Sequence, residues 1–218
     1  SFLTDKKFSR AIEEEASDED DLSKIWRLHT YCWAARSALS LPGDFVECGV
    51  FKGFYSATML EYLDFETVEK QMYLYDTFEG LSDDFSEGSE RESIGDAYDN
   101  VENWYEDVHA RFAPYPNVHV LRGVVPNILM VRAPEQIAFL HLDMNAASAE
   151  VTALEVLWDR ICDGGFILLD DFGRNENILI NVTLNKVIFL FIAITYIRPV
   201  IHIQERIPTT PRAAFYLP

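Results

Sequence analysis

Cysteine is scarce in this chain. Cys32, Cys48 and Cys162 are the only three, and no two of them form a CxxC pair. So odd and sparse a set argues against a secreted disulfide scaffold and for a reducing, cytoplasmic setting. Positive charge is scarce as well. Eighteen Lys and Arg face 36 Asp and Glu, a formal net charge of -18. Such a chain repels phosphate backbones and anionic lipid surfaces, so neither nucleic acid nor membrane is an expected partner. Long hydrophobic runs are missing. The longest apolar-rich stretch, "VIFLFIAITYI" at 187–197, falls short of the roughly 20 residues that span a bilayer. Residues 1–10 hold three basic side chains with no apolar core after them, so no signal peptide is expected. Internal repeats and Gly/Ser linkers are lacking too. What remains is 218 residues with 49% hydrophobic content, which suits a single domain with a substantial core.

Strands and helices alternate through that domain. The segments 44–50, 72–76, 117–123, 137–143 and 165–170 read as strands, and 55–63 and 149–161 as helices. This rhythm predicts an α/β fold, a doubly wound, mainly parallel sheet whose ligands bind beyond the carboxyl ends of the strands. Before it, 1–43 reads as a helical N-terminal extension: an acidic helix over 8–23 with a solvated face, then a helix over 24–40. Ile25, Leu28, Cys32 and Ala35 make an apolar stripe on the second helix, and Trp26, Tyr31 and Trp33 add aromatics, two of them off the stripe. A second buried face, and with it a homodimer or larger assembly, is expected. Residues 82–112 interrupt the rhythm. Ten acids face one base between 82 and 107, too polar for core and placed as a cover over the strand ends or a mobile acidic loop. Val182 to Ile203 is rich in β-branched residues and reads as one or two strands.

Three stretches carry chemistry. "ECGVFKG" (47–53) joins a strand to a helix, and its glycines let backbone approach a ligand. Phe51 stands where a GxGxxG motif needs glycine, which weakens a dinucleotide reading. "YLYDTFEG" (73–80) ends a strand on Asp76, where an acid either grips a ribose diol or caps the next turn. "FILLDDFG" (166–173) drives an apolar strand into Asp170 and Asp171. Adjacent like charges repel, so a cation offsets them or they are solvated.

Together with "FLHLDMN" (139–145), these stretches resemble the macrocin-type (TylF-like) sugar O-methyltransferases, over roughly residues 25–173. The resemblance implies a Rossmann-like class I methyltransferase fold that uses S-adenosylmethionine and Mg²⁺. It places Glu47, Gly49 and Gly53 around the methionine end of the cofactor and counts Val50, Phe51 and Ser56 among the cofactor-binding residues. Asp76 falls at its ribose, Thr77 beside it is a further cofactor-binding residue, and Arg122 and Gly123 lie near its adenine. It assigns Asp143, Asp170 and Asp171 to the metal, which would hold a sugar-like hydroxylated acceptor and stabilise its developing alkoxide.

Two features depart from the family pattern. Asn145 stands where the family has an acid that takes the proton, and an amide is no base at neutral pH. His141, Glu150 and His29 are the alternatives, His141 because it alternates with Asp143 on one strand. The stretch after 173 also fits the pattern poorly. The sequence therefore predicts an O-methyltransferase with Asp143, Asn145 and His141 at its catalytic centre. A non-catalytic relative that binds the cofactor but has lost its base is the other reading.

Overall fold

The structure, a computed structural model, describes residues 4–94, 98, 103–170 and 188–189. Six strands are present among them: β1 (Asp44–Cys48), β2 (Met72–Asp76), β3 (Val118–Arg122), β4 (Ile137–Leu142), β5 (Ile161–Leu169) and β6 (Ile188–Phe189). They form one sheet in the order β3-β2-β1-β4-β5-β6, with every neighbouring pair parallel. The chain builds outward from β1 to β3, then returns to lay β4 on the other side of β1. The strand order therefore reverses between β1 and β4, where such sheets hold their ligands.

Helices cover both faces: α1 (Lys6–Glu15), α2 (Glu19–Ser23), α3 (Ile25–Ala38), α4 (Phe54–Leu63), α5 (Gly88–Ile94), α6 (Trp104–Phe112), α7 (Asn127–Val131) and α8 (Ala147–Leu157). One apolar layer joins α1, α3, α4 and α6 to the sheet through Phe8, Leu28, Met59, Phe112 and Phe45. The opposite layer joins α7 and α8 to it through Leu129, Leu154, Val46 and Leu140. With both faces covered, β4 is buried at every position, which is why "IAFLHL" reads as a nearly continuous apolar run.

Two elements differ from the sequence reading. The acidic N-terminal helix is two helices, because Asp18 accepts the Asp21 N–H and caps α2, while Asp21 accepts the Ser17 N–H. Asp21 is buried there rather than solvated. β5 begins at Ile161, four residues before the expected start at 165. Its pairing with β4 slips between Ile137 and Phe139, and Gly164, at φ +80°, lets the strand run on through that irregularity. The segment expected to cover the site ends in α6, which buries Val108 and Phe112. Most of the predicted tail strands lie outside the described residues.

Candidate active site

Backbone contacts set the frame. The Asp143 N–H donates to the Cys48 carbonyl at 2.9 Å and the Asp170 N–H to the Leu142 carbonyl at 3.0 Å. Asp143 and Asp170 therefore stand on adjacent strand ends. Gly49 adopts φ +89°, and a Cβ there would lie 1.9 Å from the Asp143 carbonyl oxygen. The meeting of two backbone segments is by itself enough to require glycine at position 49. Gly53 (φ +81°) meets the Phe112 ring in the same way. Phe51 between them holds φ +52°, a costly conformation for a bulky residue. Its ring packs edge-on to Trp104 and near Tyr98.

Asp76 staples this turn. One carboxylate oxygen accepts the Val50 and Phe51 N–H groups at 2.7 and 2.9 Å, and the other accepts the Phe78 N–H at 2.8 Å. Burial pushes its pKa up, against the pull of these three donors. The carboxylate that the resemblance assigns to a ribose is thus largely occupied by backbone.

Behind the turn lies a buried polar chain. Glu47 is 2% exposed. One of its oxygens accepts Tyr31 Oη at 3.1 Å and the Ser56 hydroxyl, and the other meets His141 Nδ1 at 3.0 Å. A carboxylate only accepts, so Nδ1 carries the proton. His141 Nε2 is buried and has no hydrogen-bond partner.

In front is a cavity of about 390 Å³, within the range of small-molecule sites. Asp143, Asn145 and Asp170 line it, and so do Arg27 and Tyr55 from the helices. Arg27 donates to Asp170 at 2.6 Å. Burial lowers the pKa of its guanidinium, but Asp170, Tyr55 and Asp143 outweigh this and raise it overall. Burial likewise pushes the Tyr55 phenol up. Arg27 and Tyr55 interact with each other, but Arg27 Nε and Tyr55 Oη are buried without a well-formed hydrogen bond, as is His141 Nε2. An unmet buried polar atom costs about 1–3 kcal/mol. Two of the three residues line the cavity and the third lies just behind its wall, an arrangement suited to a polar ligand.

The structure brings together most of the residues singled out in the sequence. Glu47, Gly49, Val50, Phe51, Asp76, Thr77, Asp143, Asn145 and Asp170 all line the cavity. Ser56 and His141 sit behind its wall. Gly53 packs on α6. Arg122, paired with Glu79 and lying over the Tyr105 ring, is outside the lining with Gly123. Asp171 lies outside the described residues. Of the alternative bases, Glu150 accepts the Met144 N–H at 3.1 Å and His29 packs edge-on to Phe8; neither lines the cavity. Asn145 does, at φ +53°, a conformation that Asn tolerates better than most residues. Sequence reasoning missed Arg27 and Tyr55. Both lie on helices whose local pattern reads only as packing.

Comparison with known proteins follows the same lines. The macrocin O-methyltransferase (TylF) family matches residues 26–186. A relative from Streptomyces olivaceus, 8-demethyl-8-(2,3-dimethoxy-alpha-L-rhamnosyl)-tetracenomycin-C 4'-O-methyltransferase, is 29% identical over 151 residues. That match covers 66% of this chain but 58% of the relative, so the chain spans less than two thirds of that protein's length. Among solved structures, the O-methyltransferase NovP superposes with a TM-score of 0.58 at 21% identity, over 66% of this chain and 64% of NovP. CalS11, a calicheamicin methyltransferase, superposes at 0.52 with 17% identity, over 77% and 76%. At these identities the two structures establish the fold.

Proposed function

The chain belongs to the macrocin O-methyltransferase family, and from that premise we propose that it transfers a methyl group from S-adenosylmethionine to a hydroxyl of a sugar or glycosylated small molecule. The observation that carries this reading is the cavity at the β1–β4 switch point, with unmet polar atoms of Arg27, Tyr55 and His141 gathered at two strand-end carboxylates. The rhamnosyl 4'-O-methylation named for the Streptomyces olivaceus relative supports a sugar hydroxyl as acceptor.

In the reaction the acceptor oxygen forms a bond to the methyl carbon, the sulfonium bond breaks, and the hydroxyl proton leaves. Arg27 and Tyr55 hold acceptor oxygens from the helix side. Asn145 holds the reacting hydroxyl through its amide. Asp143, next to this turn, takes the proton. Phe51, Tyr98 and Trp104, packed together in the cavity lining, would exclude water from the reacting groups, and orientation supplies much of the rate. A divalent cation, Mg²⁺ in the family, would be held by Asp143 and Asp170, where carboxylate oxygens suit a hard ion. When bound it lowers the hydroxyl pKa and stabilises the alkoxide. We also propose a cytoplasmic setting, consistent with three buried, unpaired cysteines. No helix among the described residues is long and apolar enough to cross a membrane.

The test has two parts. Calorimetry with S-adenosylhomocysteine should show one site per chain. Methyl transfer should then be followed by mass spectrometry across a panel of deoxyhexose glycosides. Asn145→Asp restores a second proton acceptor and should raise the rate near neutral pH, by up to roughly 10²–10⁴-fold. A chain that binds the demethylated cofactor but methylates nothing, in either form, supports the non-catalytic reading, which the amide at 145 favours. Absence of binding overturns both.

A further inference from the structure

We propose that His141 is itself a metal ligand, joining Asp143 and Asp170, and that its imidazole turns the site toward a first-row transition ion, Mn²⁺ foremost, over Mg²⁺. The inference rests on the reading that a divalent cation binds at these strand ends. It changes the donor set from all-oxygen to mixed nitrogen and oxygen.

One donor atom from each of His141, Asp143 and Asp170 lies within 4.8 Å of the other two. That is close to the roughly 4 Å span of ligands across one ion with bonds of about 2.1 Å. His141 comes from β4 two residues before Asp143, so the alternation of a strand sends both to one face. The imidazole is also prepared as ligands are. A ligating histidine commonly gives its second ring N–H to a carboxylate, which fixes the ring and raises its basicity. Glu47 takes that N–H at 3.0 Å and is itself held by Tyr31 and Ser56. The ring is 1% exposed, and Tyr31 stands edge-on to it at 4.8 Å, so it has little freedom to turn. Most buried polar side-chain atoms are hydrogen-bonded, whereas Nε2 here meets no partner. Asp170 bonds Arg27 through one oxygen, and a carboxylate offers about four acceptor positions, enough to hold Arg27 and an ion together. Carboxylates alone suit Mg²⁺ and Mn²⁺, while imidazole favours the transition ions. A site with both selects Mn²⁺, or an ion further along the same series, over Mg²⁺.

The experiment uses the full chain with Mn²⁺ alone and Mg²⁺ alone. Calorimetry gives both affinities, and electron spin echo on the Mn²⁺ form reports whether a nitrogen is bound. His141→Asn keeps an N–H for Glu47 and removes the Nε2 donor; a thermal melt checks that it folds. We expect Mn²⁺ to bind the native chain at least about tenfold more tightly than Mg²⁺ and to show nitrogen modulation from one imidazole. The variant should lose that modulation and about tenfold or more of the Mn²⁺ affinity, with Mg²⁺ changed much less. If the variant does not fold, the native echo decides alone. Binding without nitrogen modulation overturns the inference and leaves the oxygen-ligand cation standing. Binding of neither ion overturns the cation reading and this inference with it.

Discussion

At the scale of single residues, Gly49 shows how a site residue can be placed for a reason other than its ligand. Its missing Cβ makes room for the Asp143 carbonyl, so the β1 turn can lie directly against the β4 end, where the Asp143 N–H bonds the Cys48 carbonyl. Gly49→Ala should destabilise the fold by about 2 kcal/mol or more, from left-handed strain and backbone collision together. It should also weaken S-adenosylhomocysteine and metal binding at once, since both sites share the joint. Thermal unfolding with parallel calorimetry checks this. Loss of cofactor affinity alone, at native stability, would show that the side chain meets the ligand instead. Asp76 is a similar case. The sequence marks it as functional, and its contacts show it bracing the turn on which the cofactor would rest.

At the scale of elements, α5 and α8 are joined through one carboxylate. Glu90 accepts the Ala147 N–H at 2.8 Å with one oxygen and the Glu87 N–H at 2.7 Å with the other. The residue before α8, Ala146, offers no side-chain cap, so the acidic segment supplies it from outside. A carboxylate is favoured at both helix starts by their exposed N–H groups. Glu90→Ala should cost about 1 kcal/mol and speed hydrogen exchange over α5 and the first turn of α8. If the segment covers the acceptor, KM for the acceptor should rise while cofactor affinity holds. Unchanged exchange in α5 would mean that other contacts seat it. The expected choice between a cover and a loose acidic loop thus turns on a hydrogen bond between residues 57 positions apart.

At the scale of the whole molecule, the N-terminal helices are part of the site. Asp21, Lys24 and Arg27 line the cavity beside the strand ends, and α1 packs on α4 through Phe8, Ala11 and Ile12. The expected second buried face of α3 exists, but Tyr31 fills it from within and bonds Glu47. Trp26 and Trp33 remain 52% and 47% exposed. We propose that these two rings meet a second copy of the chain. Light scattering at micromolar concentration should give a homodimer or larger particle, and Trp26→Ser with Trp33→Ser should reduce it to monomer. A monomeric native chain ends the proposal. The net charge of -18 opposes such association, so added salt should strengthen it by screening.

The order of strands and helices, the acids at the ends of β2, β4 and β5, and the family were all legible in the residues alone. Those features are local: a period of two or 3.6 residues, a glycine after a strand, an acid where an apolar run stops. The contacts of each acid became visible only once the chain was folded. Arg27 reaches Asp170 across 143 positions, and His141 meets Glu47 across 94. No periodicity spans such separations, because they depend on β4 being laid beside β1 in one register and on α3 starting at the carboxyl end of β5, where Arg27 meets Asp170. For the same reason Asp76 proved a staple, and His141, legible only as a histidine in an apolar strand, became a candidate ligand once its neighbours were in place.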